Sequence, residues 1–480
     1  MTDAARPYDE FGYPSYPHVR THPARLGAVG RLLGLDPAAA GSCRTLELGC
    51  GDGTNLIAMA AALPGSRFVG VDAAARPIAA GNELVRAAGL TNVELRELDL
   101  ERLPPDLGQF DYVVAHGVYS WVPASTRTAL LAACGQLLAP HGVALVSYNA
   151  YPGSHLRDMT GRMLAFHLRD LTDPAEMVSG AREFIEAVEA TGVDSPEARA
   201  LRDQMARLAG AGDALLYHDD LARVNAPVYF HEFMKDAGAH GLQFLSEADP
   251  STSRLSALAP ATRRLLQSLP DDVVVREQYL DFLTNRMFRS TLLCREHAPV
   301  RRSLRAADVE SLAVAAPVTA VSGAVGRFEA RNGGTIESRE PFVQAALRVL
   351  GAEWPVPLEF GALAARAEER GTRATEAQVG ELEKALLYAW MGGVVDLWSE
   401  PPPVARHPGE RPVASPLARA QVESGATAVS TLVHATVVLG AVERRAIGLL
   451  DGAREAESLE AEFPGVLERL AAAGLLLGER

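Results

Sequence analysis

Between Cys43 and Tyr148 the chain alternates short apolar runs with longer stretches whose apolar residues recur at helical spacing. Cys43–Gly49 reads as a buried strand, and Gly51–Leu63 turns into a helix that Pro64-Gly65 ends. Arg67–Asp72 reads as a second strand, followed by a helix over about Pro77 to Ala88 that stops at Gly89. Val93–Glu97 and Phe110–Ala115 are the third and fourth strands, and a helix over about Ser125 to Leu138 follows. Pro140-His141-Gly142 predicts a turn into a fifth strand, Val143–Tyr148. This alternation implies an α/β fold whose parallel sheet is covered on both faces. Ligands of such sheets bind beyond the carboxyl ends of the strands.

The first of those ends is Glu47-Leu-Gly-Cys-Gly-Asp-Gly53. Gly49, Gly51 and Gly53, with Cys50 between them, let the backbone turn tightly and approach a ligand. The following helix points free N–H groups the same way. Asp72 ends the second strand, nineteen residues after Gly53, where a carboxylate accepts ribose hydroxyls. A dinucleotide enzyme is the obvious rival. The G-x-G-x-G spacing differs from G-x-G-x-x-G, however, and Glu47 would repel a pyrophosphate while suiting a ligand with an ammonium group. Asp99 and Leu100, after the third strand, are placed to meet an adenine.

The ordered set resembles class I S-adenosylmethionine methyltransferases, whose first motif is E-L-G-C-G-D-G and whose second and third motifs match Asp72 and Asp99. S-adenosyl-L-methionine is the cofactor this implies. A narrower resemblance runs through Tyr8–Pro17, Thr21-His-Pro23, Ala115–Pro123, Ser147–Gly153, Asn225–Phe233, His240–Ala248 and Glu277–Cys294. These segments are similar to a bacterial family carrying a methyltransferase regulatory domain, whose best known members are rickettsial protein-lysine methyltransferases. The resemblance implies a Rossmann-like sheet of seven strands, the last antiparallel. Gly241–Glu247 and Phe288–Cys294 are then its sixth and seventh strands, in a catalytic domain over 43–297. Residues 155–225 become a helical insertion over the strand ends, and residues 1–42 an arm whose Tyr13 and Tyr16 are candidates to cover the cofactor, with ordinary packing as the alternative.

Past Arg301 the texture changes. Val325–Arg331 and Thr335–Ser338 flank Asn332-Gly-Gly as a hairpin, helices follow at about 341–350 and 376–390, and Gly392–Trp398 reads as a strand. Helices with a small sheet suggest a winged-helix-like α+β module over 301–400. A proline-rich linker from Pro401 and a small helical module complete 401–480.

Composition narrows the function. The 480 residues are 48% hydrophobic and 22% charged, with net charge −14. That charge argues against general phosphate-backbone binding, and Glu376–Lys384 is acidic where a DNA-recognition helix would be basic. Substrate docking or formation of a homodimer suits the C-terminal modules better. Four scattered cysteines, the lack of a signal-like N-terminus and the lack of a long apolar run predict a cytoplasmic protein with no disulfides, no structural zinc and no membrane insertion.

Methyl transfer needs an aligned acceptor with a free lone pair. The residues just past strands four and five are the candidates: His116, which also borders the cofactor, with Tyr119, Trp121, Tyr148, Asn149 and Tyr151. Each has a packing role to set against this: His116 as a strand cap, Trp121 as a core or lid anchor, Asn149 as a partner of turn backbone. The family resemblance favours N-methylation of protein lysines. A small-molecule or peptide N- or O-methyltransferase and a cofactor-binding sensor are the alternatives.

Overall fold

A computed structural model of the chain describes residues 15–192, 195–253, 258–371 and 373–478. Strands β1 (Arg44–Leu48), β2 (Arg67–Asp72), β3 (Val93–Glu97), β4 (Phe110–Ala115) and β5 (Leu138–Asn149) run parallel. With β6 (Leu242–Glu247) and β7 (Phe288–Arg295) they form one seven-stranded sheet of order β3-β2-β1-β4-β5-β7-β6. Strand β7 is antiparallel to both neighbours, the arrangement the class I resemblance implies. Strand β5 is longer than expected. Leu138 already pairs with Phe110, and the register shifts before Val143 pairs with Tyr112. Pro140-His141-Gly142 is therefore a bulge inside the strand rather than a turn before it.

Alternation along the central strands sorts side chains onto two faces. Tyr112, Val114, Val143, Leu145, Leu292 and Cys294 pack with helix α1 (Pro23–Leu32) and with residues of the 301–400 region, including Val314, Leu347, Leu386 and Leu397. Val113, Ala144, Val146, Tyr148 and Leu293 pack on the other face with Phe230, Phe233 and Ala237 of the helix Phe230–Ala239. The 301–400 region thus shares one apolar core with the sheet. It covers a face that would otherwise meet water. Its own strands are short: the expected hairpin is Arg327–Ala330 against Thr335–Glu337, with Val318–Ala320 added alongside.

Helix α2 (Thr54–Ala62) is buried along its whole length. Helix α3 (Ala75–Ala87) follows β2, and α4 (Ala124–Leu137) precedes β5. Residues 155–220 form the expected insertion, led by helices His155–His167, Pro174–Glu189 and Pro196–Ala209. It has its own small core of Leu164, Val178, Ile185, Met205 and Leu208.

Two expectations for 401–480 need correction. The proline-rich stretch is not a free linker: Ala405 N–H donates to the Leu476 carbonyl (2.8 Å), and Val404 bridges Leu477. Nor is the last unit purely helical. Helices Pro416–Glu423, Ala441–Ile447, Ala456–Glu462 and Val466–Ala472 surround a hairpin of Ala428–Ser430 and Thr436–Val438. Val429, Ile447, Leu450, Phe463, Leu467 and Leu470 give this unit its own core. At the hairpin tip Leu432 leaves that core and packs with Leu56, Ile57 and Met59 of α2. Among the described residues no helix is long and apolar enough to cross a membrane.

Candidate functional site

The glycine loop leaves β1 and enters α2. Gly49, at φ +71°, passes so close to Val118 that a Cβ would lie 2.4 Å from its Cγ2. Gly51, at φ +58°, differs: a Cβ there would meet nothing within 4 Å. One glycine closes the turn against the protein; the other opens the loop toward free space. Neither conformation suits a residue with a side chain. Cys50 lies buried between them, and burial, then Asp72, Glu47 and Asp52, push its thiol well above the ordinary range. It stays a neutral packing group.

Three acids stand on three adjacent strands. Glu47 pairs in register with Gly70, two residues before Asp72, and Asp72 is itself opposite Glu97 at the end of β3. The Asp72 carboxylate accepts from Gly51 N–H (2.9 Å) and Ala74 N–H (2.8 Å), which ties the loop to the end of β2. Asp99 accepts from Glu101 N–H (3.0 Å), and Leu100 is buried beside it.

Glu47 is the exception among them because it is buried. Its Oε1 accepts from Asn55 Nδ2 (2.8 Å), while Oε2 is buried with no partner. Burial, reinforced by Asp52 and Asp72 against the help of Asn55, raises its pKa from 4.5 to about 8. An unsatisfied, buried carboxylate oxygen beside two further acids is a place made for a cation. The donor set fits the ammonium end of S-adenosylmethionine.

On the acceptor side the structure divides the candidates. His116, at the end of β4, packs its ring 4.0 Å from that of His18 and faces the edge of Phe288 (6.4 Å between ring centroids). Burial, then His18 and Arg20, lower its pKa to about 3. With its pKa there the ring is neutral and too weakly basic to take a proton near neutral pH, which leaves it a packing or orienting role. Tyr119 and Tyr148 are corrected outright. Both are buried under the sheet against Phe233, with Tyr148 and Phe233 stacked at 4.2 Å. Tyr148 Oη lies 3.0 Å from Thr291 Oγ1, and burial pushes the Tyr119 phenol up to about 12. These are core groups.

Trp121 is half-buried with the Arg157 guanidinium 5.6 Å above its ring, and Arg157 bonds Asp220 of the insertion (2.8 Å). It anchors the insertion to the strand ends. Asn149, buried at the end of β5, is held in place: its N–H donates to Ser120 Oγ (2.8 Å) and its Nδ2 to Asn225 Oδ1 (2.9 Å). Tyr13 lies outside the described residues. The arm does reach the site, because His18 N–H donates to Asn55 Oδ1 (2.8 Å).

Several participants escaped the sequence reading. Asn55 sits inside an apolar helix, where one polar residue was the available signal. Tyr151, one of the sequence candidates, stacks on His155 (4.0 Å), a residue the sequence did not single out, whose Nε2 lies 3.1 Å from Tyr229 Oη, and Phe282 lies 5.9 Å from the Tyr229 ring. These rings form an aromatic wall near the end of β5, with Phe288 exposed at the start of β7. Beneath it, Arg289 is wholly buried and binds Asp281 (2.7 and 2.9 Å), Glu247 (2.6 Å) and Glu277 (3.0 Å). This cluster fixes β7 to β6 and to the helix Val273–Thr284, and it accounts for the polar residues of the Glu277–Cys294 motif.

Comparisons with known proteins follow this geometry. Residues 46–144 match a family described as methyltransferase domain, and residues 212–295 one described as predicted methyltransferase regulatory domain. Residues 410–474 match the PKMT C-terminal winged helix domain, placing that fold in the last unit, later than the 301–400 expected for a winged helix. The uncharacterized protein RP789 of Rickettsia prowazekii is 32% identical over 395 residues, covering 79% of this chain and 71% of the relative. A solved structure of PKMT2 from Rickettsia typhi in complex with AdoHcy superposes at TM-score 0.86 and 25% identity, over 97% of this chain and all of that one. Sheet, acids and comparisons converge: the chain belongs to the S-adenosylmethionine-dependent class I methyltransferases that carry a methyltransferase regulatory domain.

Proposed function

We propose that this enzyme methylates lysine side chains of a protein substrate. The observation that carries the reading is likeness along almost the whole chain to PKMT2 from Rickettsia typhi, at TM-score 0.85 to 0.86. It includes the C-terminal unit, which small-molecule methyl transfer does not itself require. The net charge of −14 further favours a lysine-bearing partner.

In this reading Glu47 Oε2 receives the cofactor's ammonium group and the open side of Gly51 admits its backbone approach. Asp72 keeps lone pairs for the ribose hydroxyls, and Asp99 and Leu100 flank the adenine. Bound S-adenosylmethionine supplies an electrophilic methyl on sulfur. The protein must deliver a neutral amine in line with it. Because His116 is too weak a base, loss of the lysine proton rests on desolvation. An amine inserted along Tyr151, Tyr229 and Phe288 leaves water, its ammonium form is disfavoured, and the proton departs to solvent as the side chain enters. Asn149 Oδ1 and the neutral His116 ring then orient the amine. The four buried thiols suit a reducing cytoplasm.

The test is incubation with methyl-labelled cofactor and a fractionated bacterial lysate. Label in protein that yields methyllysine on acid hydrolysis supports the reading. Label confined to small molecules, or cofactor binding without any transfer, would refute it.

A further inference from the structure

The described part of the hairpin in the last unit ends in a tight turn, Thr431 to Ala435, that faces the catalytic domain. Thr431 N–H donates to the Ala435 carbonyl (2.8 Å), and Ala435 N–H to Thr431 Oγ1 (3.1 Å). At its tip His434 is held at φ +58° and is 1% exposed. The left-handed region is uncommon outside glycine, though asparagine, aspartate and histidine enter it more readily than other residues. The turn alone therefore does not select histidine over asparagine.

Its contact supplies the reason. His434 Nε2 lies 2.9 Å from Asn55 Oδ1, across 379 residues of chain. Asn55 Oδ1 also receives His18 N–H (2.8 Å) and lies 3.1 Å from Thr21 Oγ1. A backbone N–H can only donate, so the amide oxygen must face the arm and His434, and the amide nitrogen must face Glu47. The His434 ring accordingly carries its proton on Nε2. Burial, and then His22, His18 and Arg25, hold that ring far below its ordinary pKa, so it stays neutral. Both partners are buried, so water does not compete for the bond, and Asn55 Oδ1 shares its lone pairs among His434, His18 N–H and the Thr21 hydroxyl.

We propose that His434 is a positioning residue for the cofactor: by donating to Asn55 Oδ1 it fixes the amide so that Asn55 Nδ2 holds Glu47 Oε1 and leaves Oε2 for the ammonium group. The winged unit is in this way a working part of the cofactor pocket. Without His434 the amide oxygen keeps only the donors of the arm, His18 N–H and the Thr21 hydroxyl, and the inverted amide is populated more often. Its oxygen would then face the carboxylate, Glu47 would lose its one donor, and the carboxylate would cease to be aimed. The inference rests on the assignment of Glu47 to the ammonium group made above.

The experiment compares two ligands on the full chain by calorimetry: S-adenosylhomocysteine, which has the amino-acid tail, and 5′-methylthioadenosine, which lacks it. The variants are His434→Asn, which suits the turn but is too short to reach Asn55, and His434→Gln, whose amide nitrogen reaches about as far as Nε2. H434N is expected to weaken S-adenosylhomocysteine about tenfold, the scale of one hydrogen bond to a charged system. It should leave methylthioadenosine within about twofold, and H434Q should restore most of the loss. Equal weakening of both ligands would mean a merely structural role, and unchanged binding of both would mean no role; either overturns the proposal. If the wild-type chain binds the two ligands equally well, the assignment of Glu47 falls instead.

Discussion

Replacing Glu47 by glutamine should make the cofactor-free protein more stable in alkali while damaging the site. In the folded chain the carboxyl titrates near 8, and its ordinary value is 4.5. Between those values the folded state holds a proton that the unfolded state has released. Stability therefore falls as pH rises through this window and is constant above it. Each pH unit removes about 1.4 kcal/mol, so the full interval amounts to roughly 5 kcal/mol by pH 8.5. Glutamine does not titrate. Urea denaturation without cofactor should show the difference in stability between Glu47→Gln and wild type moving in favour of the variant by several kcal/mol from pH 4.5 to 8.5. Binding supplies the complementary measurement. A cationic ligand demands the ionised carboxylate, so at pH 7 the wild type should expel close to one proton per cofactor bound. Calorimetry in buffers of different ionisation heat counts that proton, and the variant should bind weakly and release none. Parallel pH–stability curves for the two proteins, or equal proton release, would refute the reasoning.

Asp72→Ala should abolish measurable cofactor binding, because it removes the acceptor of Gly51 and Ala74 N–H as well as the carboxylate proposed for the ribose; unchanged affinity by calorimetry would count against the site. Arg289→Met leaves buried Glu247 without its cation and Asp281 and Glu277 with Arg286 alone, and should cost about 3–5 kcal/mol in chemical denaturation. A loss below 1 kcal/mol would show that the cluster is not under strain when broken. Tyr148→Phe removes only the bond to Thr291 and should cost about 1 kcal/mol of stability. Its kcat/KM should stay within about twofold of wild type, and a large drop would return Tyr148 to the catalytic machinery.

The parallel sheet was legible because each strand is short, apolar and closed by a turn signal, and because the acids fall at the strand ends that bind ligands. Tyr148 was misplaced although its period could have placed it: it shares parity with Ala144 and Val146, which lie on the face beneath Phe233. Helix α2 carried an unread signal too. Beyond Asn55 it runs Leu-Ile-Ala-Met-Ala-Ala-Ala with no polar side at all. A helix with no polar side must be covered on every side, and one βαβ layer leaves part of it bare. The cover is Leu417 and Leu432 from the last unit. Identifying that cover was beyond the sequence, because nothing local to Leu432 or His434 marks them as partners of residues near position 55. The weak basicity of His116 was equally hidden, since it arises from His18 and burial rather than from its own neighbours in the chain.

The bond between Asn55 and His434 also sets a timetable for synthesis. A ribosome adding about 5–20 residues per second reaches His434 roughly 20 to 75 seconds after Asn55 has been made, a gap of 379 residues. During that interval the glycine loop and its acids are already assembled as far as the nascent chain permits. The amide that aims Glu47 is nevertheless held only by His18 and Thr21 until the hairpin folds back onto it. Translation products that stop short of the hairpin would then hold the cofactor less well, so full methylation capacity would arrive only once the hairpin has been made.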